Sequence, residues 1–357
     1  MSTQPQHTPA QDLLQCSLKP CPARAFDPNV SLDRAETIII TSKYWANGTL
    51  LKYYFFTDDG RASGKAETDL VRDAFQTWKN LGIGISFEET TEIDTAQIRI
   101  AFMRGDGAWS YIGRDCLSIP IGQPTMNFGW DLLQDPRTVG VAIHEIGHAI
   151  GLPHEHQNPN AGIVWNVAAV MTAFSEPPNS WDEQTIRNNI LNKLEKSEIK
   201  GSKWDPASIM EYSFAPEMIS APSPFNETGI NPSGDKLSDL DMAWTRRFYP
   251  PIGEVDLHTL KIGQSEAIQL QHGEQITFKF TPEMSRQYEV RTFGNCDAVL
   301  VVFEHDNDGC EYLLGKDDSG KDENAYIKLR LQKDRTYHIN IRMLYRNPDS
   351  ISSVMLW

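Results

Sequence analysis

The stretch HEIGHAIGLPHEH, residues 144–156, restricts the fold of this chain more than any other part of its sequence. On a helix, His144 and His148 are four residues apart and project from the same face, so both imidazoles can reach one metal ion. Gly151 can adopt a left-handed conformation that ends the helix, and the chain can then turn back and bring His154 to the same ion. Three histidine ligands leave a fourth position for water, which is typical of a catalytic zinc site.

Glu145 follows the first predicted ligand, so its carboxylate is expected beside the metal, where it can hold a water molecule. A bare H-E-x-x-H pattern arises by chance fairly often, but the added glycine and third histidine lower that chance to about 1 in 10⁴ to 10⁵. The alternative is three ordinary histidines on a structural helix. The pattern predicts hydrolysis of peptide bonds, with one catalytic zinc ion and with Glu145 as general base.

The remaining patterns predict an α+β domain over residues 31–251, followed by an all-β domain. Strands rich in β-branched and aromatic residues are predicted at 36–41, 52–57, 97–103, 116–121 and 125–129. Apolar residues at helical spacing predict helices at 66–80, 136–150, 182–196 and 237–249. Asp135 is the expected N-cap of the second helix, with Pro136 at its first position.

The two ends of the chain differ from its middle in composition and pattern. Residues 1–30 are polar and rich in proline, which predicts an extended arm or a propeptide. Beyond 251–253, where we place the domain boundary, strand-like runs separated by Gly, Asp and Asn predict an all-β sandwich or barrel over residues 254–357. Acidic loops there could hold Ca²⁺ or could be ordinary solvated turns; their residues are Asp306, Asp308, Asp317 and Asp318.

Charge and hydropathy limit the partners of the chain. It has 33 basic and 48 acidic residues and a net charge of −15, which argues against nucleic acid or an anionic membrane as the main partner. The acidity serves solubility or indicates a preference for basic substrates. There is no run of about 18 apolar residues, so no membrane-spanning segment is predicted. The first residues lack the basic and then apolar order of a secretory signal, which leaves the cellular location open.

The extended histidine pattern resembles that of the metzincin zinc peptidases, H-E-x-x-H-x-x-G-x-x-H followed by a Met-turn. By this resemblance Met210, in SIMEY, is the Met-turn residue under the metal. Glu155 after the third histidine and Tyr212 two residues after Met210 resemble the astacin family most closely. The resemblance covers about residues 30–250. Two further segments are also similar to the family: WSYIGR, residues 109–114, and LSDLD before FYP.

The astacin resemblance implies a metzincin catalytic domain with a twisted mixed sheet, an active-site helix and a C-terminal helix. It implies a zinc endopeptidase that acts on proteins or peptides outside the cell, with Tyr212 as an extra zinc ligand that stabilises the oxyanion after swinging away. We expect an extended substrate to pair with an edge strand at 116–121. Residues 254–357 resemble the β-sandwich domains that follow the catalytic domain of many bacterial secreted peptidases.

The sequence departs from the astacin pattern in its cysteines. Astacins usually carry two disulfides in the catalytic domain, whereas this region has only Cys116, so a cytoplasmic location stays possible. The five cysteines are not a disulfide framework, although Cys16 with Cys21 and Cys296 with Cys310 are close enough in sequence to pair.

Two further expectations follow from the family's regulation. Astacins are held latent by a propeptide aspartate, and here Asp27, Cys16 and Cys21 are candidates for a blocking ligand, the alternative being an arm without that role. Glu155 could anchor a processed amino terminus. Two other functions stay open: an inactive zinc-binding or adhesive module, and an effector or toxin that cleaves one host protein. Cleavage preference and oligomeric state do not follow from the sequence.

Overall fold

The computed structural model describes residues 15–21, 43–194, 203–252, 257–306, 309–316, 324–347 and 351–357. The chain divides into two compact units. The first comprises residues 1–21, 53–78 and 89–244, and the second comprises residues 22–52, 79–88 and 245–357. The strand predicted at 36–41 lies outside the described residues. None of the helices in the described ranges is long and apolar enough to cross a lipid bilayer.

The first sheet has five strands: β1 (Leu50–Phe55), β2 (Ser86–Glu89), β3 (Ile98–Ala101), β4 (Trp109–Ser110) and β5 (Met126–Asn127). Their order is β2-β1-β3-β5-β4. β3 pairs in parallel with both β1 and β5, whereas β4 runs antiparallel to β5 at the edge. The strands predicted at 52–57, 97–103 and 125–129 are therefore confirmed, with somewhat different ends.

The strand predicted at 116–121 is wrong. Residues Gly113–Ser118 form a 3₁₀-helix, and the backbone N–H of Ile119 donates to the Cys116 carbonyl at its end. Cys116 and Ile119 are buried while Leu117 is 54% exposed, which is the three-residue spacing of a 3₁₀-turn rather than the alternation of a strand. Pro120 also lacks an N–H for a ladder. The edge strand on the β5 side of this sheet is β4, and β2 lies at the other edge.

Two helices position the histidine stretch. α1 (Lys65–Lys79) buries Val71, Ala74, Phe75 and Trp78. The Phe75 ring stacks on Tyr53 of β1 with ring centroids 4.1 Å apart. α2 (Val139–Ala149) is buried at every position after its first. The indole Nε1–H of Trp78 donates to the Ile143 carbonyl at 3.0 Å and so fixes α2 against α1.

The predicted start of α2 is wrong by three residues. The backbone N–H groups of Arg137 and Thr138 donate to the side chain and the carbonyl of Asp135, respectively, and form a turn before the helix. The helix then begins at Val139, after Thr138 with its φ of 49°. Asp135 thus caps a turn instead of the helix, because its side chain is already engaged by Arg137.

A buried carboxylate joins α1 to the loops beside the sheet. Glu67 Oε1 accepts from the Leu132 backbone N–H at 3.0 Å, and Oε2 accepts from the side chains of Ser63 and Arg104. Burial raises the pKa of Glu67, but the hydrogen bonds from Arg104, Ser63 and Leu132 outweigh it, so this pKa lies below its ordinary value.

The rest of the first unit is more irregular. The α-helices are α3 (Val167–Ser175), α4 (Glu183–Ile186) and α5 (Phe225–Thr228), with α6 (Asp239–Phe248) ending in the second unit. A π-helical turn, Arg187–Leu191, continues α4, and β6 (Val164–Trp165) pairs with β7 (Ile219–Ala221). The helix predicted at 182–196 is confirmed as far as residue 191, and the one at 237–249 is confirmed.

Residues after 257 form an all-β fold, as predicted. Its strands are β8 (Ser265–Ile268), β9 (Gln275–Phe280), β10 (Arg286–Phe293), β11 (Cys296–Asp306), β12 (Gly309–Lys316), β13 (Tyr326–Leu331), β14 (Tyr337–Arg346) and β15 (Ser352–Leu356). Two antiparallel sheets, β13-β10-β15-β8 and β12-β11-β14-β9, share one apolar core. That shared core makes the fold a β-sandwich.

Candidate active site

The three histidines of the predicted zinc site converge in the structure. His144 and His148 project from α2, and their Nε2 atoms lie 3.1 Å apart. His154 follows the helix, and its Nε2 lies 3.1 Å from that of His148. All three side chains are buried. The sequence spacing therefore brings together the ring nitrogens that we expected.

The end of α2 explains how His154 reaches the other two. Gly151 has a φ of 104°, a left-handed conformation that a residue with a Cβ rarely adopts. The N–H groups of Gly151 and Leu152 donate to the carbonyls of His148 at 2.8 Å and Gly147 at 3.0 Å. These bonds close the helix and reverse the chain direction.

Backbone carbonyls orient two of the imidazoles. The Nδ1 of His144 lies 2.7 Å from the Ile209 carbonyl oxygen, and the Nδ1 of His148 lies 2.7 Å from that of Leu152. A carbonyl oxygen only accepts, so each Nδ1 carries the ring proton and each Nε2 presents a lone pair. In zinc sites, a hydrogen bond of this kind at the ring nitrogen that does not face the metal orients the histidine.

The three nitrogens fit a zinc ion. Burial lowers the pKa of His144 to about 4 and holds the pKa values of His148 and His154 well below the ordinary range, so the rings are neutral at pH 7. Two bare lone pairs that face each other at 3.1 Å cannot form a hydrogen bond, but a cation between them is attracted by both. Tetrahedral zinc holds nitrogen ligands about 3.3 Å apart, close to the spacing here.

Glu145 lies in the same pocket as His144, as the sequence predicted. Its side chain is fully buried, and Oε1 has no hydrogen-bond partner within the described ranges. Burial raises the pKa of Glu145 to about 8. Its Oε2 lies 3.5 Å from the Sγ of Cys16.

Of the two candidate blocking ligands that lie in the described part of the chain, Cys16 is the one beside the histidines. Its Sγ and the ligand nitrogens of His144, His148 and His154 all lie within 4.8 Å of one another. Cys21 lies elsewhere, with its Sγ 3.9 Å from the Asp115 carbonyl, and Asp27 is outside the described residues. Cys16, Cys21, Cys116 and Cys296 are all thiols, so the considered Cys16–Cys21 bridge is not formed.

Met210 packs against the histidine helix α2, and Tyr212 lies beside the His154 ring. A Cβ on Gly147 of α2 would collide with the Met210 Sδ, so Met210 packs directly under the helix. The Tyr212 ring lies 4.4 Å from the His154 ring, measured between centroids. Its hydroxyl donates a short hydrogen bond to the Cys16 carbonyl oxygen, so in this arrangement it is engaged by the arm.

Glu155 and His156 lie in a buried polar layer next to His154. Burial raises the pKa of Glu155 to about 8, and its Oε1 accepts from the Asp205 N–H and from Asn158. His156 is fully buried and stacks on the His154 ring at 5.2 Å. It therefore packs against the His154 ring and helps to hold it in place.

One residue that holds the turn beside His144 was not predicted from the sequence. Asp241 accepts from the Ser208 hydroxyl at 2.6 Å and from the Ile209 N–H at 2.8 Å. These bonds hold Ile209, the residue whose carbonyl orients His144. The signal was present in LSDLD, which resembles the astacin pattern, but nothing local in it points to a residue thirty positions earlier.

Comparison with known proteins agrees with this geometry. Residues 38–229, more than half of the chain, match the family model described as Astacin, a peptidase family. The chain belongs to the astacin family. The solved structure of myroilysin is 30% identical and covers 59% of this chain and 97% of its own, with a TM-score of 0.53. The metzincin fold predicted for the catalytic part is thereby confirmed.

Curated relatives of this astacin match about half of the chain or less. "Protein SpAN" of Strongylocentrotus purpuratus is 31% identical over 158 residues, and "Blastula protease 10" of Paracentrotus lividus is 28% identical over 161. Each match covers 42% of this chain and less than a quarter of the relative. "Zinc metalloproteinase nas-36" of Haemonchus contortus is 30% identical over 52% of this chain and 26% of its own. The family's enzyme class, zinc-dependent peptidases, is the one predicted.

Proposed function

We propose that this chain hydrolyses internal peptide bonds of proteins, with one zinc ion bound by His144, His148 and His154. The observation that supports this most is the convergence of three buried ring nitrogens, two of them oriented by backbone carbonyls, beside a buried carboxylate. When bound, zinc lowers the pKa of a water molecule to about 7 and polarises a carbonyl.

Glu145 is the proposed general base. Its Oε1 is a buried acceptor with no hydrogen-bond partner in the described part of the chain, so it can hold the attacking water. It takes the proton of that water and passes it to the leaving amine. A carboxylate whose pKa is raised by burial serves both transfers better than an exposed one.

Tyr212 is the proposed oxyanion donor. Its hydroxyl already donates to a peptide carbonyl, that of Cys16, within the pocket that holds His144 and Glu145. A substrate carbonyl in the same place would receive the same hydrogen bond, and this bond strengthens as negative charge develops on the oxygen.

We propose the edge strand β4 as the strand along which substrate lies. The arm residue Ser17 donates its N–H to the Ala108 carbonyl, next to β4, at 3.0 Å. An extended substrate can use the same acceptor.

Cys16 is the proposed blocking ligand of a latent form. Its Sγ lies within 4.8 Å of the three ligand nitrogens and 3.5 Å from Glu145, where water would have to enter. A thiolate is a good zinc ligand, and four protein ligands close the site to water. Removal of residues 15–21 from the cleft would open it.

The experiment compares full-length Cys16→Ala with the double variant Cys16→Ala/Glu145→Gln, using a quenched-fluorescence peptide and unfolded casein. The first should cleave faster than the wild type. The second should bind one zinc per chain and turn over no substrate. Cys21→Ala, in the same arm, is the matched control and should stay as slow as the wild type. Turnover by the double variant at the rate of Cys16→Ala would contradict the role of Glu145.

A readout independent of activity tests the latent form. Alkylation of Cys16, followed by mass spectrometry of its peptide, should be slow in the zinc-loaded wild type and faster after zinc is removed with a chelator. An alkylation rate that does not respond to zinc would show that Cys16 is not a ligand.

The wider assignment keeps the predicted domains: a peptidase domain over 31–251 and an accessory β-sandwich over 254–357. We propose protein substrates outside the cell, supported by the mostly extracellular astacin family, to which this chain belongs. Substrate profiling would distinguish a broad peptidase from an effector with one target. The calcium assignment concerns residues 306, 308, 317 and 318, whose side chains lie outside the described part of the structure.

A further inference from the structure

A lysine of the arm contacts a fixed acidic and aromatic pair beside the cleft. The Lys19 Nζ lies 3.3 Å from Asp106 Oδ1 and 5.0 Å from the centroid of the Trp109 ring. Asp106 Oδ2 accepts from the Trp109 indole N–H at 2.9 Å, so the carboxylate is held in place by the same ring. Trp109 is buried in β4, which makes the pair rigid before a basic group binds.

The position of Lys19 relative to the reacting centre is defined by the arm. The Cys16 carbonyl accepts from Tyr212, and Ser17 donates to Ala108 at the edge of the sheet. Lys19 is three residues beyond the carbonyl that occupies the proposed substrate position. The arm thus shows where a side chain three residues from the scissile bond is placed.

Most neighbouring arm contacts do not select a side chain. Gln15 and Leu18 donate their backbone N–H groups to the side chains of Asn179 and Asn189. Any residue except proline can make such bonds. The ion pair of Lys19 with Asp106, by contrast, requires a positively charged side chain.

We propose that Asp106 and Trp109 form a subsite that binds a lysine or arginine side chain of the substrate. This inference rests on the proposed peptidase function and adds a preference to it. The carboxylate supplies an ion pair, and the ring face supplies a cation–π contact. The net charge of −15 favours approach of the same basic peptides.

The expected preference is moderate, because both partners are partly exposed: the side chains of Lys19 and Asp106 are 33% and 43% accessible. An exposed ion pair together with a cation–π contact corresponds to about a 3- to 30-fold gain in kcat/KM. Salt should reduce the gain, since it screens exposed charges.

The first experiment uses zinc-loaded Cys16→Ala and pairs of peptide substrates. The two peptides of a pair differ only in having Lys or Gln at one position, and the pairs cover each position within four residues of the cleaved bond. One position should show the lysine preference. Adding Asp106→Asn should lower this Lys/Gln ratio to what the cation–π contact with Trp109 alone supplies, about 2- to 5-fold, whereas adding Asp59→Asn, an exposed aspartate, should keep it. A ratio that Asp106→Asn does not change at any position overturns the subsite, while peptide cleavage itself upholds the proposed function.

The second experiment needs no peptidase activity. In chains that retain Cys16, Lys19→Gln and Asp106→Asn should each speed alkylation of Cys16, because each loosens the arm. The double variant should be no faster than the faster single variant, since both changes break one contact. Additive effects, or no effect, overturn the recognition of lysine by Asp106 even in a sample that cleaves nothing.

Discussion

Gly140 is the position where a single methyl group should most directly displace the helix of the zinc ligands. It lies in the first turn of α2, one helical turn before His144. A Cβ at Gly140 would lie 2.7 Å from the carbonyl carbon of Gly234 and 2.8 Å from the Cα of Asp235, and closer still to the Gly234 oxygen. All three atoms are backbone, so no change of rotamer can relieve the collision.

The size of the effect follows from these distances. Carbon atoms in contact are at least about 3.5 Å apart, so the two backbones must separate by at least about 0.8 Å, and by more to clear the Gly234 oxygen. Overpacking of this kind destabilises by about 3 kcal/mol, and the better helix propensity of alanine offsets about 1 kcal/mol. A net loss of about 2 kcal/mol lowers the midpoint of thermal unfolding by about 4–8 °C in a domain of this size. Misplacement of catalytic groups by about 1 Å can reduce the rate about 100-fold.

The assay measures the unfolding midpoint, zinc content and kcat/KM of Gly140→Ala in the Cys16→Ala background. Gly122→Ala is the matched control, because a Cβ there meets no atom within 4 Å, and its stability should change by less than about 0.5 kcal/mol. If Gly140→Ala kept the midpoint, the zinc and the rate of its parent, the packing of α2 described above would be wrong.

Three further changes test other parts of the structure. Tyr212→Phe, in the Cys16→Ala background, should retain zinc and lower kcat by about 10²–10³-fold, as loss of an oxyanion donor does; an unchanged kcat would exclude that role. Asp241→Asn places an amide group against the backbone N–H of Ile209 and should weaken zinc binding by about 10–100-fold in a chelator competition, unless the turn does not orient His144. Glu67→Gln should lower the free energy of unfolding by about 1–3 kcal/mol at pH 7. Because folding lowers the pKa of Glu67, its contribution to stability is present above the unfolded pKa of about 4.3 and is lost as pH falls through the lower folded value. In denaturant titrations, the free energies of unfolding of the two proteins should therefore converge below pH 4. A difference in stability that does not depend on pH would contradict this.

Local sequence carried most of the information on the histidine helix. The four-residue spacing of His144 and His148 and the glycine at 151 predicted a shared face and a helix end, because both depend on a few neighbouring residues. The sandwich strands after residue 257 were predictable for the same reason. The roles of Glu145, Tyr212 and the three histidines stay predictions until the variants are measured.

Features that depend on distant contacts were not predictable. Asp135 has the chemistry of an N-cap, but its engagement by Arg137 moved the helix start to Val139. The apolar run at 116–121 was assigned to a strand because sequence alone does not show that Leu117 points to solvent. Cys16 lies 129 positions before Glu145, and no local pattern could choose it over Cys21 or Asp27.

The most direct test of the account is zinc X-ray absorption spectroscopy of the full-length protein. We expect one zinc per chain with three imidazole nitrogens at about 2.0–2.1 Å and one sulfur at about 2.3 Å, and replacement of the sulfur by oxygen in Cys16→Ala. A spectrum without three imidazole ligands, or a purified chain that binds no zinc, would contradict the proposed site.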